Sequence, residues 1–176
     1  MMSLKAILGV IFLCTCIVYV KTQEEFVSPV LNTRKNVNWF NYLGKTYYVD
    51  SIFQTNFYRA MQFCRQQGMQ LLSINSEAEN ERIGKFVKDK GYLHNRFWTS
   101  ATNLATANKW VWLSTGYDIT FFKWYPGEPN KHNNTENCIE VGWFGTAGFT
   151  WNDLECSRTD KFFICEATSD CHNLHC

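Results

Sequence analysis

Cysteine constrains this chain more than any other feature of its sequence. The 176 residues include eight cysteines, of which Cys14 and Cys16 lie in an apolar N-terminal run. That run, from Ala6 to Val20, follows a lysine and is too short for a spanning helix, so residues 1–22 are predicted to be a secretory signal peptide rather than a membrane anchor. An even number of cysteines then remains in a secreted chain, which predicts a domain held by disulfide bonds.

Spacing alone does not pair the remaining cysteines, because six residues allow many pairings. The last two stand in a short tail with two histidines, where a disulfide within the tail, a disulfide to a second chain and a tetrahedral zinc site are the alternatives. An oxidising compartment favours a disulfide, and a bond between chains would make a homo-oligomer. The six are Cys64, Cys138, Cys156, Cys165, Cys171 and Cys176.

Composition excludes several classes of function. The formal net charge of +1 gives no basic field for nucleic acid, and no segment after the signal peptide is long and apolar enough for membrane insertion. The histidines show no recognisable spacing with a nucleophile, so no enzyme is predicted. A glycosidase carboxylate pair is conceivable, but the carboxylates beside amides are better explained by metal coordination. The histidines are His94, His132, His172 and His175.

The order of predicted elements indicates an α+β fold. Apolar residues at three- and four-residue steps predict a helix over 56–67. A capping-box pattern, Ser76 with Glu79, begins a second helix that runs to about Lys88. Strands are predicted at 45–50, 70–74, 96–100, 109–113, 138–143, 149–151 and 161–165.

The stretch from Glu128 to Asp153 is rich in oxygen ligands. Five of its side chains, three carboxylates and two amides, are the candidate ligands; all five offer oxygen and none offers sulfur, and hard cations such as Ca²⁺ prefer oxygen. The alternative is a polar loop of ordinary turn residues. The candidate ligands are Glu128, Asn130, Glu136, Asn152 and Asp153.

These features together resemble the C-type lectin domain family over about residues 45–167. Three segments carry the resemblance: Trp110-Val111-Trp112, Glu128-Pro129-Asn130 and Trp151-Asn152-Asp153. The likeness implies a fold in which two helices flank antiparallel sheets beside a long calcium-binding loop. It also implies two disulfides, Cys64–Cys165 and Cys138–Cys156. The tail lies outside the family pattern, and a Cys171–Cys176 bond stays one of its alternatives.

The resemblance implies that the five oxygen ligands hold one Ca²⁺ and also bind a sugar, with Pro129 in the cis form. Glu128 followed by Asn130 is the order that the family associates with mannose-type sugars. A second, auxiliary ion is not expected, because Lys131 and Asn137 stand where that site needs acids. An aromatic ring beside the site could instead favour galactose, although packing in the core is the favoured alternative for such rings. The rings in question are Trp124, Tyr125, Trp143 and Phe144.

The resemblance implies a secreted, calcium-dependent lectin that recognises glycans on microbial or cell surfaces. The alternative is a module of the same fold that binds a protein, with a structural or vestigial calcium site. Asn133 begins an Asn-X-Thr glycosylation sequon inside the calcium loop, where a glycan would restrict access to the sugar site. The expected organisation is a signal peptide at 1–22, a lead-in at 23–44, the lectin domain at 45–167 and a cysteine-containing tail at 168–176.

Overall fold

The structure is a computed structural model that describes residues 38–107 and 109–168. The predicted signal peptide, most of the lead-in, and the tail with Cys171 and Cys176 lie outside the described residues. No helix within the described residues is long and apolar enough to cross a membrane.

Helix α1 spans Phe57–Gln66 and helix α2 spans Glu77–Asp89, as the sequence predicts. Asn56 caps α1, its Oδ1 accepting a 2.9 Å hydrogen bond from the backbone N–H of Arg59. Both helices bury the apolar face that the spacing of their apolar residues predicts.

The start of α2 differs in one respect from a simple capping box. Ser76 Oγ accepts from the N–H of Glu79 at 3.2 Å, but the Glu79 carboxylate bonds the N–H of Asn75 rather than that of Ser76. The other oxygen of Glu79 lies 2.9 Å from Lys45 Nζ and 2.6 Å from Tyr47 Oη. Glu79 therefore joins α2 to the neighbouring sheet as well as closing the helix.

Eight strands form one mixed sheet, which with the two helices confirms the α+β class. Their order is β1-β2-β8-β4-β6-β7, with β3 on β8 and β5 on β4. The pairing of β4 with β8 is parallel, and the other strand pairings in the described residues are antiparallel. The strands are β1 Trp39–Tyr42, β2 Lys45–Thr55, β3 Gln70–Leu71, β4 Arg96–Thr102, β5 Val111–Trp112, β6 Glu136–Trp143, β7 Phe149–Glu155 and β8 Lys161–Thr168.

Strand β1 lies in the segment that the sequence assigned to an irregular lead-in. Its four residues pair with β2, and the Phe40 ring is buried against Tyr47 with centroids 4.6 Å apart. Asparagines on either side of Trp39 and Phe40 hide the strand pattern in the sequence, because asparagine is depleted in strands. Pairing with β2 and burial of one ring outweigh that propensity.

Both disulfides implied by the resemblance are confirmed. Cys64–Cys165 joins α1 to β8 across 101 residues of sequence, and Cys138–Cys156 joins β6 to the turn after β7 across 18. All four cysteines are buried in one of the two apolar clusters of the core. The second disulfide therefore fixes β6 to the end of β7, the two strands that carry candidate ligands.

Helix α2 positions strand β7 directly. Asn80 Nδ2 donates to the carbonyl of Phe149 at 2.9 Å, and Trp151 Nε1 donates to Asn80 Oδ1 at 2.8 Å. Gly84, one turn further along, lies so close to β7 that a Cβ there would be 2.6 Å from Phe149 Cβ. The absence of a side chain at Gly84 thus permits the approach that sets the position of Asn152 and Asp153.

Candidate functional site

A tight turn delivers Glu128 to the site. The N–H of Glu128 donates to the carbonyl of Tyr125 at 2.9 Å, with Pro126 and Gly127 between them. Gly127 has φ +97°, so proline at the first and glycine at the second central position match a type II turn. The next peptide bond, Glu128–Pro129, is cis, as the resemblance implied.

Asp153 holds the loop that follows this turn. Its side chain is fully buried, and its two oxygens accept from the N–H groups of Asn130 at 3.0 Å and Lys131 at 2.9 Å. Glu128 Oε2 accepts from the same Asn130 N–H at 3.0 Å. Glu128 and Asn130, which lie two residues apart, therefore meet Asp153, 23 residues beyond Asn130, around one short piece of backbone.

A second shared N–H brings Glu136 to Asn130. The backbone N–H of His132 donates to Asn130 Oδ1 at 2.8 Å and to Glu136 Oε2 at 2.9 Å. The loop from Lys131 to Asn134 is sharply folded, with positive φ at Lys131, Asn133 and Asn134. That folding lets the N–H of His132 serve both the loop and the start of β6.

Asn152 is oriented by a neighbour on β6 that sequence reasoning did not identify. Its Nδ2 donates to Glu140 Oε1 at 3.0 Å, so its amide oxygen is the end left for a ligand. The two residues are directly opposite in the β6–β7 pairing. Glu140 is buried, and its Oε2, which has no hydrogen-bond donor, lies 3.4 Å from Lys161 Nζ. The sequence of β6 offered no sign of this contact, because it arises from strand register.

The carboxylates at the site carry electrostatic strain. Burial raises the pKa of Glu128, and the adjacent Asp153 carboxylate raises it further. Burial also raises the pKa of Glu136; the His132 N–H opposes that shift and the Asp153 charge adds to it. Neighbouring carboxylates repel one another when they are ionised. They therefore favour the binding of a cation, because its positive charge offsets that repulsion.

The residues fit a hard cation in their chemistry. All five predicted ligands offer oxygen, three of them with charge, as Ca²⁺ prefers. Their present contacts are largely to backbone N–H groups. Within residues 38–107 and 109–168, no group of three or more His, Cys, Asp or Glu side chains lies close enough together to be a ready metal cluster. The ligand set therefore remains a prediction, in which the carboxylates of Glu128 and Asp153 are neighbours.

The four candidate aromatic rings have different positions. Trp124 packs on Trp110 and Trp151, with centroids 5.6 and 6.2 Å away, and Trp143 donates from Nε1 to the carbonyl of Gly84 at 3.1 Å. These two rings support the core, as the packing alternative predicted. Tyr125 and Phe144 instead contact each other near the surface, with centroids 5.4 Å apart.

Comparisons with known proteins agree on one family. A family profile described as the Lectin C-type domain matches residues 53–167. C-type lectin 37Db of Drosophila melanogaster is 32% identical over 141 residues, 79% of this chain and 86% of that protein. Salivary C-type lectin 1 of Aedes albopictus is 30% identical over 116 residues, 63% of this chain and 75% of that protein.

A solved structure supports the same assignment. The carbohydrate-recognition domain of the human scavenger receptor C-type lectin matches with a TM-score of 0.64 and 28% identity. The match covers 76% of this chain and 98% of that domain. The expected fold is therefore confirmed by structural comparison as well as by the order of its elements.

Proposed function

The chain belongs to the C-type lectin family, and from that premise we propose that it is a secreted lectin that binds mannose-type glycans through one calcium ion. Family membership supports a carbohydrate-binding role and a protein that is not an enzyme. Secretion is supported by the apolar N-terminal run and by the salivary origin in the name of one relative.

One observation carries the calcium proposal. Asp153, buried on β7, accepts from two successive N–H groups of the loop that bears Asn130 and lies against the carboxylate of Glu128. Three predicted ligands, two from the Glu128–Asn130 segment and one from β7, are thus held beside one another. We assign the ion to Glu128, Asn130, Glu136, Asn152 and Asp153.

Sugar binding at such a site uses both the carboxylate and the amide side chains. Calcium, when bound, supplies a centre with room for about six to eight oxygens, so two neighbouring sugar hydroxyls can complete its shell. The carboxylates of Glu128 and Glu136 accept hydrogen bonds from those hydroxyls, while the amides of Asn130 and Asn152 can donate to them. Bonds to charged groups are the stronger ones, which helps a small polar ligand to bind.

The surroundings of the site bear on which glycans reach it. Asn133 is exposed in the folded loop, one residue after His132, so its sequon is accessible to glycosylation and a glycan there would narrow the approach to the ion. A single sugar site binds weakly, so glycans on microbial or cell surfaces would be held by several copies at once. A disulfide between chains through Cys171 or Cys176 would supply such copies.

A glycan array probed with and without EDTA tests the proposed function. We expect binding to mannose-type glycans in calcium and its loss on chelation, because the hydroxyls need the ion. Binding that survives chelation, or no glycan binding in calcium, would refute the proposal. The second of these outcomes would favour a module that binds protein.

Acid should release calcium and sugar together. The raised pKa values of Glu128 and Glu136 mean that these groups take up protons at a higher pH than ordinary glutamates, and protonated carboxylates do not coordinate. Binding should therefore be complete at neutral pH and fall as the pH approaches the carboxylate range from above. Calcium titrations at a series of pH values measure this, and a constant affinity down to about pH 4 would contradict it.

A further inference from the structure

We propose that Tyr125 and Phe144 form an aromatic platform that binds the second sugar residue of an oligosaccharide whose first residue occupies the calcium site. This inference rests on the proposed function and adds a subsite to it. The platform is defined by those two rings, and it would favour extended glycans over single sugars.

The turn described above places Tyr125 beside a predicted ligand. Tyr125 and Glu128 are the first and last residues of one β-turn, so their Cα atoms lie within about 7 Å. The N–H of Tyr125 also donates to the carbonyl of Trp151 at 2.8 Å, and Trp151 precedes Asn152 directly. The backbone of Tyr125 is thus fixed to both ligand-bearing segments, while its side chain remains 37% exposed.

The direction of the Tyr125 ring separates the platform from the ion. The ring leans on Phe144 at an interplanar angle of 38°, and Phe144 follows the last residue of β6. Asn152 is opposite Glu140, which stands four residues before Phe144, or about 13 Å along the strand. Phe144 therefore lies beyond the predicted ligands along β6, and we place the second sugar residue on that side.

The platform is supported from behind. The Arg96 guanidinium lies 4.1 Å from the centroid of Phe144, and its Nη1 donates to the Asn95 carbonyl at 3.1 Å. Gly142 makes room for this arginine, since a Cβ there would be 2.7 Å from Arg96 Cδ. Phe144 thus contacts both Arg96 and Tyr125, and it is partly exposed while Tyr125 is exposed.

The chemistry of the platform suits a sugar. A pyranose has C–H groups that pack on an aromatic face, while its hydroxyls remain hydrated or bond to polar neighbours. Tyrosine adds a hydroxyl that donates or accepts at the edge of the ring. The subsite would therefore accept many second residues and contribute affinity more than strict selectivity.

The test compares the binding of a monosaccharide with the binding of a trisaccharide. Affinities for methyl α-mannoside and for a mannotriose are measured in calcium with the full secreted chain and its Tyr125→Ala and Tyr125→Phe variants. We expect Tyr125→Ala to weaken mannotriose binding about five- to tenfold and to leave the monosaccharide unchanged, the size of a typical aromatic contact. Tyr125→Phe should stay close to the wild type.

Tyr117→Ala serves as the matched control, because this tyrosine is 76% exposed and lies outside the platform. Equal loss for both sugars in Tyr125→Ala would place the ring at the first sugar and overturn the inference. So would an unchanged mannotriose affinity. If the wild type binds neither sugar in calcium, the proposed function fails first and the subsite fails with it.

Discussion

Replacing Asp153 with asparagine is expected to abolish calcium-dependent sugar binding. The substitution keeps the shape of the side chain but removes a charge from the predicted ligand set and one of the two acceptors that hold Asn130 and Lys131. Loss of a group that only orients a metal ligand typically weakens a site by about 10- to 100-fold. Because Asp153 is itself a predicted ligand, we expect a loss of about 100-fold or more.

Calcium titration and retention on a mannose column measure this loss in parallel. Asp118→Asn is the control, since Asp118 is an exposed acid paired with Lys109 at 3.1 Å. Asp153→Asn and Asp118→Asn should both keep the disulfides and the fold, and Asp153→Ala should behave like Asp153→Asn. Retention of the Asp153 variant on the column at the wild-type calcium requirement would contradict the assigned site.

Removing the Cys64–Cys165 disulfide, by changing both cysteines to alanine, should lower the free energy of unfolding by about 4–5 kcal/mol. The bond closes a loop of 101 residues, and a longer closed loop restricts the unfolded chain more. The Cys138–Cys156 bond closes only 18 residues, for which the same reasoning gives about 3 kcal/mol.

The two double variants should also differ in function. Cys138 is two residues from Glu136 and Cys156 three from Asp153, so loss of that bond should reduce calcium affinity more than loss of Cys64–Cys165. Denaturant unfolding and calcium titration of both variants measure the two effects. Equal stability losses, or a larger loss of affinity without Cys64–Cys165, would contradict this division.

The helices could be predicted to within a residue or two because their ends are local. Asn56 and Ser76 cap the same backbone that they precede, and no distant partner is needed. Strand β1 could not be predicted, because its four residues become a strand only through pairing with β2 and burial of Phe40. Local propensity is a weak guide where a distant partner decides.

The candidate site shows the same division. Its residue types and their order along the chain indicated oxygen ligands, and the resemblance supplied the set. Sequence could not predict that Asp153 would hold the Asn130 loop or that Glu140 would orient Asn152, because both contacts depend on the register of β6 and β7. It could not separate Tyr125 from Trp124 either, although Trp124 is partly buried against the core and Tyr125 is exposed.

The hydrogen bonds from the loop around Asn130 to Asp153 affect the entropy cost of calcium binding. Fixing the backbone of a residue costs about 1–2 kcal/mol, and a loop that is ordered only by its ligand loses that amount from its affinity. Here the protein's own hydrogen bonds order the residues around Asn130 during folding. Calcium binding at neutral pH would therefore lose less free energy to ordering this loop than binding to a loop that only the ion orders.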